Sequence, residues 1–261
     1  RQPYQDAVWR LIYRLDGPRI ERYERVVAET FEETWLISRA DRDLLAAACP
    51  GSNIRVVTNG VDLEKLAPTG EPAQADSLIF VGHLRVFHNV DAVTHLVQDI
   101  LPRVLDRVPG CRLTIVGADP GPAVRRLEKD PAVRVVGFVP DLNHCLNSAA
   151  VFVAPLRFAA GVQNKVLEAM AAGCPVVTSS IVNSGLGAEA GRDLLVADDA
   201  SETAEQVVTL LKDAALRERI AVAGRRFVAE RYSWENVLLR MRVIEQGLAA
   251  ERGVRLVYGP G

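Results

Sequence analysis

Residues 151–180, VFVAPLRFAAGVQNKVLEAMAAGCPVVTSS, hold two short apolar runs separated by a polar loop and a segment of helical period. The runs are too short for helices and do not alternate with period two, so they suit interior strands of a parallel sheet covered on both faces. Between them the pattern predicts a loop over 155–163 and a helix over 164–172. Gly173 is expected to end that helix as a left-handed cap, and Pro175 prevents its continuation.

The same kind of strand recurs on either side: SLIFV (77–81), RLTIV (112–116) and VRVVG (133–137) before AVFVA (150–154), then PVVTS (175–179) and DLLVA (193–197). Helical patterns lie between them, and that alternation predicts an α/β fold with a doubly wound parallel sheet. In the common 3-2-1-4-5-6 order the sheet reverses between the first and fourth strands. A crevice then opens between the loops 82–88 and 155–163.

Towards the N-terminus, TWLIS (34–38), RADRDLLAAA (39–48) and IRVVT (54–58) read as strand, helix and strand, a unit too small to stand alone. Before it, a helix is predicted over a segment rich in arginine and aromatics, with Val8, Leu11, Ile12 and Leu15 on one face and Arg10, Arg14, Arg19, Arg22 and Arg25 nearby. Two readings stand for it: packing on a neighbouring domain, or peripheral contact with anionic lipid. Asn59-Gly60 signals a turn, and 68–75 is polar and breaker-rich, as linkers are. The tail reads as helices over 201–212, with Ser201 as cap and Glu202 in the first turn, 216–229 and 234–248.

The chain has 261 residues, 49% of them hydrophobic and 25% charged, as in an ordinary globular protein. A net charge of −2 and a pI near 6.2 give no general basic field for nucleic acid, so any anion binding must be local. No apolar run reaches the roughly 20 residues that span a bilayer, and a cytoplasmic location is the expectation. Cys49, Cys111, Cys145 and Cys174 lack metal-type spacing and read as reduced, mostly buried thiols.

The helix over 164–172 follows the fourth strand, so its N-terminus faces the crevice, where free amides and partial positive charge suit a phosphate. Lys165 sits in its first turn, against the helix dipole, which argues that it serves an anionic ligand. Lys165 and Glu168 share a face; they are either a surface ion pair or a division of labour, ammonium on diphosphate and carboxylate on ribose or sugar hydroxyls. Arg157 either forks onto phosphate oxygens or is a structural arginine. Gly82 lets backbone approach a ligand. His83, Arg85 and His88 fill the same loop, the histidines with a structural reading beside the binding one. Ser179, Ser180, Asn183, Ser184 and Gly185 read as another polar turn able to bond a sugar or phosphate.

Together with NGVD (59–62), FVG (80–82), IVG (115–117), GFVPD (137–141) and RYSW (231–234), the stretch GVQNKVLEAMAAGCPVVTS resembles the C-terminal half of family 4 glycosyltransferases of the GT-B fold. Within that family the wording is similar to sugar transferases of bacterial exopolysaccharide clusters, including exosortase-associated ones. The resemblance implies residues 1–58 as a remnant of an N-terminal acceptor domain, 59–76 as linker, 77–232 as a Rossmann-like donor domain, 233–250 as a crossover helix and 251–261 as a tail. A truncated chain is the corresponding expectation, with acceptor recognition largely lost.

The resemblance implies that Glu168 is the second acid of an E-x7-E motif, near the ribose. Lys165 and the loop of Gly161, Val162, Gln163 and Asn164 would lie at the diphosphate, and Phe138, Val139 and Pro140 would hold the base by backbone. Lys165 and Glu168 would then be the catalytic pair. The implied reaction is retaining transfer from a UDP or GDP sugar to a glycan or lipid-linked acceptor hydroxyl, with no cofactor and no metal. The chain departs from the pattern at Ala160, where the first acid falls, and at His83 and His88, where an arginine and a lysine commonly fall. A catalytically inactive binding module and a nucleotide-sugar epimerase are the alternatives.

Overall fold

A computed structural model describes residues 7–251, and the sequence readings for residues 1–6 and 252–261, with the side chains of Val8 and Arg10, fall outside them. The chain opens with helix α1 (Ala7–Thr30) and continues through β1 (Thr34–Leu36), α2 (Arg39–Ala48) and β2 (Ile54–Val56). β1 and β2 pair in parallel as a separate two-stranded sheet. Ser38 starts α2 by accepting the Asp41 amide at 3.1 Å, a serine cap that stabilises the first turn. Leu11, Ile12 and Leu15 of α1 are exposed in the described structure. No helix among the described residues is long and apolar enough to cross a membrane.

The main body runs β3 (Gln74–Val81), α3 (Phe87–His95), α4 (Leu101–Leu105), β4 (Arg112–Val116), α5 (Pro122–Arg125), β5 (Val133–Val136), α6 (Leu142–Asn147) and β6 (Ala149–Ala154). It continues through α7 (Asn164–Ala171), β7 (Val176–Thr178), α8 (Ser180–Leu186), β8 (Leu195–Val196), α9 (Ala200–Lys212), α10 (Ala214–Tyr232) and α11 (Trp234–Glu251). All neighbouring strands are parallel, in the order β5-β4-β3-β6-β7-β8. That is the 3-2-1-4-5-6 order expected from the sequence, with its reversal between β3 and β6.

Every residue of β6 is buried, which requires covering layers on both faces of the sheet. The pairing of β3 with β6 slips between Gln74 and Leu78. There Asp76 turns to φ 54°, and the Ser77 hydroxyl accepts the Ala150 amide at 3.0 Å in place of a ladder carbonyl. Between α3 and α4 the helix widens into a π turn at Leu96–Ile100, next to Pro102, which has no N–H to donate. α7 ends as its sequence predicts: Gly173 takes φ 78°, with Gly173 N bonded to Met170 O and Cys174 N to Ala169 O.

Near the junction of the two sheets, Val61 N donates to Tyr232 O at 2.7 Å and Trp234 N to Val61 O at 3.3 Å. NGVD and RYSW, far apart in sequence, are therefore one backbone clasp. Three of the four cysteines, Cys49, Cys111 and Cys174, are buried, Cys145 is half-buried, and all are free.

Two sequence readings are corrected. The polar segment starting at Ser179 is not an open turn: it leads into α8, and its side chains are bonded internally, Ser179 Oγ to Leu156 O at 2.6 Å and Ser184 Oγ to Ile181 O at 2.8 Å. The cap of α9 is Asp199, which accepts the Glu202 amide at 2.8 Å, and Ser201 lies exposed inside the helix. Asp199 wins because its carboxylate also faces the positive end of the helix dipole. Asp199→Ala should lower stability by about 1 kcal/mol and Ser201→Ala by less than about 0.5 kcal/mol. Urea unfolding midpoints check this, and equal losses would contradict the cap.

Candidate functional site

The reversal between β3 and β6 sets two loops facing one another. On the β3 side, Gly82 N bonds Val116 O at 3.0 Å and Leu84 N bonds Ala118 O at 3.0 Å, which pins the loop to the end of β4. A Cβ on Gly117 would stand 1.7 Å from the Gly82 carbonyl oxygen, so only glycine permits this approach. From α3 the buried Asn89 donates to His83 O at 3.0 Å and holds the loop from beneath.

On the β6 side, α7 begins without a side-chain cap; Gln163, at the capping position, is buried and turns its Nε2 to Ala160 O at 3.0 Å. Asn164 Oδ1 accepts from Asn59 Nδ2 at 2.9 Å, which ties the helix start to the NGVD segment. Gly161, Val162, Gln163 and Asn164 thus form the turn into the helix, with Val162 buried and Asn164 exposed.

Lys165 reaches across between the two loops. Its ammonium donates to Asn89 Oδ1 and, at 3.3 Å, to Gln163 Oε1, and lies 5.7 Å from the centre of the Phe80 ring. Burial lowers its pKa to about 8, against the opposing charge of Glu168. Among the described residues Lys165 forms no ion pair within 4.0 Å, so the surface-pair reading of Lys165 with Glu168 does not describe it. Burial also raises the Glu168 pKa, with Lys165 pulling the other way. Glu168 lines a cavity of about 490 Å³ together with Pro140, Asn164 and Gly60.

The other candidates divide. His88 is held towards its neutral form, by burial first and by the Lys165 charge second. His83 and Arg85 are exposed, His83 Nε2 lying 3.8 Å from Asp119. Phe138 is 79% exposed at the end of β5, followed by half-buried Val139 and exposed Pro140. Arg157 forks onto Asp91, at 3.0 Å from Nε and 2.6 Å from Nη2. The Asp91 side chain is 4% exposed, so moving Arg157 onto a phosphate would strip a buried carboxylate of its fork, a loss of roughly 3–5 kcal/mol in comparable pairs. In this structure Arg157 is the structural arginine.

Asn89 and Asp91 do not figure among the residues that sequence reasoning selects, yet each holds a cation of the site. The signal was present: both are polar positions in an otherwise apolar helical run, FHNVDAV, just after the crevice loop. A buried polar side chain in such a run needs a partner, and here the partners are Lys165 and Arg157.

The sheet order, the crevice at its reversal and the clasp of NGVD on RYSW define a GT-B type α/β domain. Residues 75–213 match the family described as glycosyl transferases group 1, and the chain belongs to that family. It is 31% identical over 214 residues to the phosphatidyl-myo-inositol mannosyltransferase of Mycobacterium tuberculosis, covering 75% of this chain and 54% of that protein. The chain spans about half the length of the curated relatives it matches. Its fold is similar to that of the sucrose-phosphate synthase of Thermosynechococcus elongatus, with a TM-score of 0.75, 22% identity, and coverage of 88% of this chain and 62% of that one. The Anabaena protein HepE, solved with UDP-glucose, aligns with a TM-score of 0.68 and 17% identity over 88% of this chain and 68% of that one.

The low pKa of Lys165 makes stability depend on pH. Between about 8 in the folded chain and the ordinary lysine value near 10.5, the unfolded chain binds more protons than the folded one, so stability rises with pH through that window. Relative to Lys165→Met, the wild type should gain up to about 3 kcal/mol from pH 7.5 to 10.5. Chemical unfolding at several pH values checks this; a constant difference between the two proteins would contradict it.

Proposed function

We propose that this chain binds a nucleoside diphosphate sugar of UDP or GDP type in the crevice between β3 and β6. The sugar then passes to an acceptor hydroxyl, in bacterial exopolysaccharide or other cell-surface glycan synthesis. The observation that carries this reading is the Lys165 ammonium. It is largely withdrawn from water at the start of α7, and its direct hydrogen-bond partners, Asn89 and Gln163, are neutral amides. A cation positioned by neutral groups keeps its charge for an incoming anion, and the first-turn amides of α7 add to it.

Breaking the anomeric C–O bond places negative charge on the departing diphosphate and positive charge on the sugar. Fixed cations and helix amides in a water-poor crevice stabilise that leaving group without reorganising. Glu168, beside a cavity bordered by Pro140, suits ribose hydroxyls, and the backbone of 138–140 suits the base. Retention and independence from metal belong to this reading through the family relationship. Complexes of TarM and HepE with UDP, among proteins of similar fold, support the choice of donor class. Exposed Leu11, Ile12 and Leu15 beside Arg14 and Arg19 support contact with an anionic membrane surface as part of the same proposal. Ala160, exposed where an acid falls in the family pattern, favours a second reading in which the donor binds without turnover.

Calorimetric titration with UDP, GDP and ADP tests the donor site. At least one should saturate, with affinity reduced about 10- to 100-fold by Lys165→Ala, the size of a lost charge-assisted bond. Because the diphosphate favours charged Lys165, affinity should also fall above about pH 8. No saturable binding, or unchanged binding by Lys165→Ala, would overturn the proposal. Product analysis with donor alone separates transfer from epimerisation.

A further inference from the structure

A second, smaller cavity of about 160 Å³ lies on the other side of the clasp, where the start of α2, the end of α8 and the junction of α10 with α11 meet. Arg39, Arg231 and Arg240 line it with Ser38, Thr58 and Ser184, and no carboxylate does. Among the described residues none of these arginines forms an ion pair. Glu230, next to Arg231 in sequence, pairs with Arg226 at 2.7 Å, and Asp41, two residues from Arg39, accepts the Ser38 hydroxyl at 2.6 Å. The Thr58 hydroxyl oxygen is buried with no hydrogen-bond partner among the described residues.

Burial raises the Tyr232 pKa, and the charges of Arg231, Arg39 and Arg240 act against that shift. The Tyr232 hydroxyl donates to Leu186 O at 2.6 Å. A plainer account would have the arginines neutralise helix ends. α8 and α10 both end here, but each terminus carries only about half a negative charge, and the start of α2 adds about half a positive one. Three full charges exceed that requirement; all three arginines are exposed, and Arg231 also lies 5.1 Å over the Phe227 ring.

The cavity also adjoins the crevice. Gly185, on its wall, lies against the Gly161 carbonyl of the loop before α7, and Ile37, also lining it, lies against Gly161 itself. An anion seated here is one loop away from the start of α7. Guanidinium forks match phosphate oxygens in pairs, and the buried Thr58 hydroxyl supplies a further polar partner.

We propose that this arginine-lined cavity is a phosphate-binding subsite that takes the phosphate group carried by the acceptor. The assignment to an acceptor rests on the donor reading above; the anion site itself does not.

The full chain is titrated with inorganic phosphate, octyl phosphate and octyl glucoside as wild type and, so that the crevice lysine does not supply a second phosphate site, in the Lys165→Ala background with and without Arg39→Gln/Arg240→Gln. Both phosphates should bind and compete with each other, and octyl glucoside should not displace them. In the Lys165→Ala background the double arginine variant should weaken both at least about tenfold. Arg231→Gln serves as an independent variant, and unfolding midpoints verify that each variant is folded. In the Lys165→Ala background, phosphate binding that survives all three arginine changes, or no phosphate binding at all, would overturn the site. If UDP fails to bind while phosphate binding remains arginine-dependent, the donor reading falls and the acceptor assignment with it, and the anion site stands.

Discussion

A strand with every side chain buried must be covered on both faces, and β6 is such a strand from Ala149 to Ala154. Helices on both faces of a parallel sheet require crossovers that leave the centre in opposite directions, and the reversal falls between β3 and β6. The loops that follow those two strands cannot both be filled by crossover helices. The crevice is thus a consequence of the packing of β6, and the polar groups at its rim are free to differ from those of the core.

Two cations beside the crevice have different commitments. Arg157 is committed to buried Asp91, where its fork compensates a carboxylate that water cannot reach. Lys165 is held by Asn89 and Gln163, which position the ammonium without neutralising it. The first arrangement stabilises the loop and the second leaves a positive charge for a ligand. A lysine in the first turn of a helix is locally unfavourable, and its retention there is intelligible when the helix start has an anion to meet.

Much of this was legible in the sequence because it depends on local pattern. The six strands, their order and the reach of α7 follow from apolar runs and from Gly173 with Pro175, since burial and capping act on neighbouring residues. The N-terminal strand-helix-strand unit was equally readable, with Arg39–Ala48 observed as predicted. Side-chain pairing across the crevice was not. Asp91 and Arg157 are 66 positions apart, and so the choice of Arg157 between a phosphate and a carboxylate is set by a partner that no local pattern names. Likewise the run from Ser179 gives the composition of a turn and forms a helix, because its hydroxyls find carbonyls in the folded chain. Ser201 loses the cap of α9 to Asp199 for the reason that two good capping residues stand two positions apart.

The central claim is that Lys165 and the start of α7 receive a diphosphate. A crystal structure of the chain with bound UDP tests it most directly. Both phosphates should lie between the loops 82–88 and 155–163, with Lys165 Nζ within hydrogen-bond distance of a phosphate oxygen and Glu168 near the ribose. UDP seated elsewhere, or in the crevice with Lys165 still turned to Asn89 and out of reach of the phosphates, would contradict it.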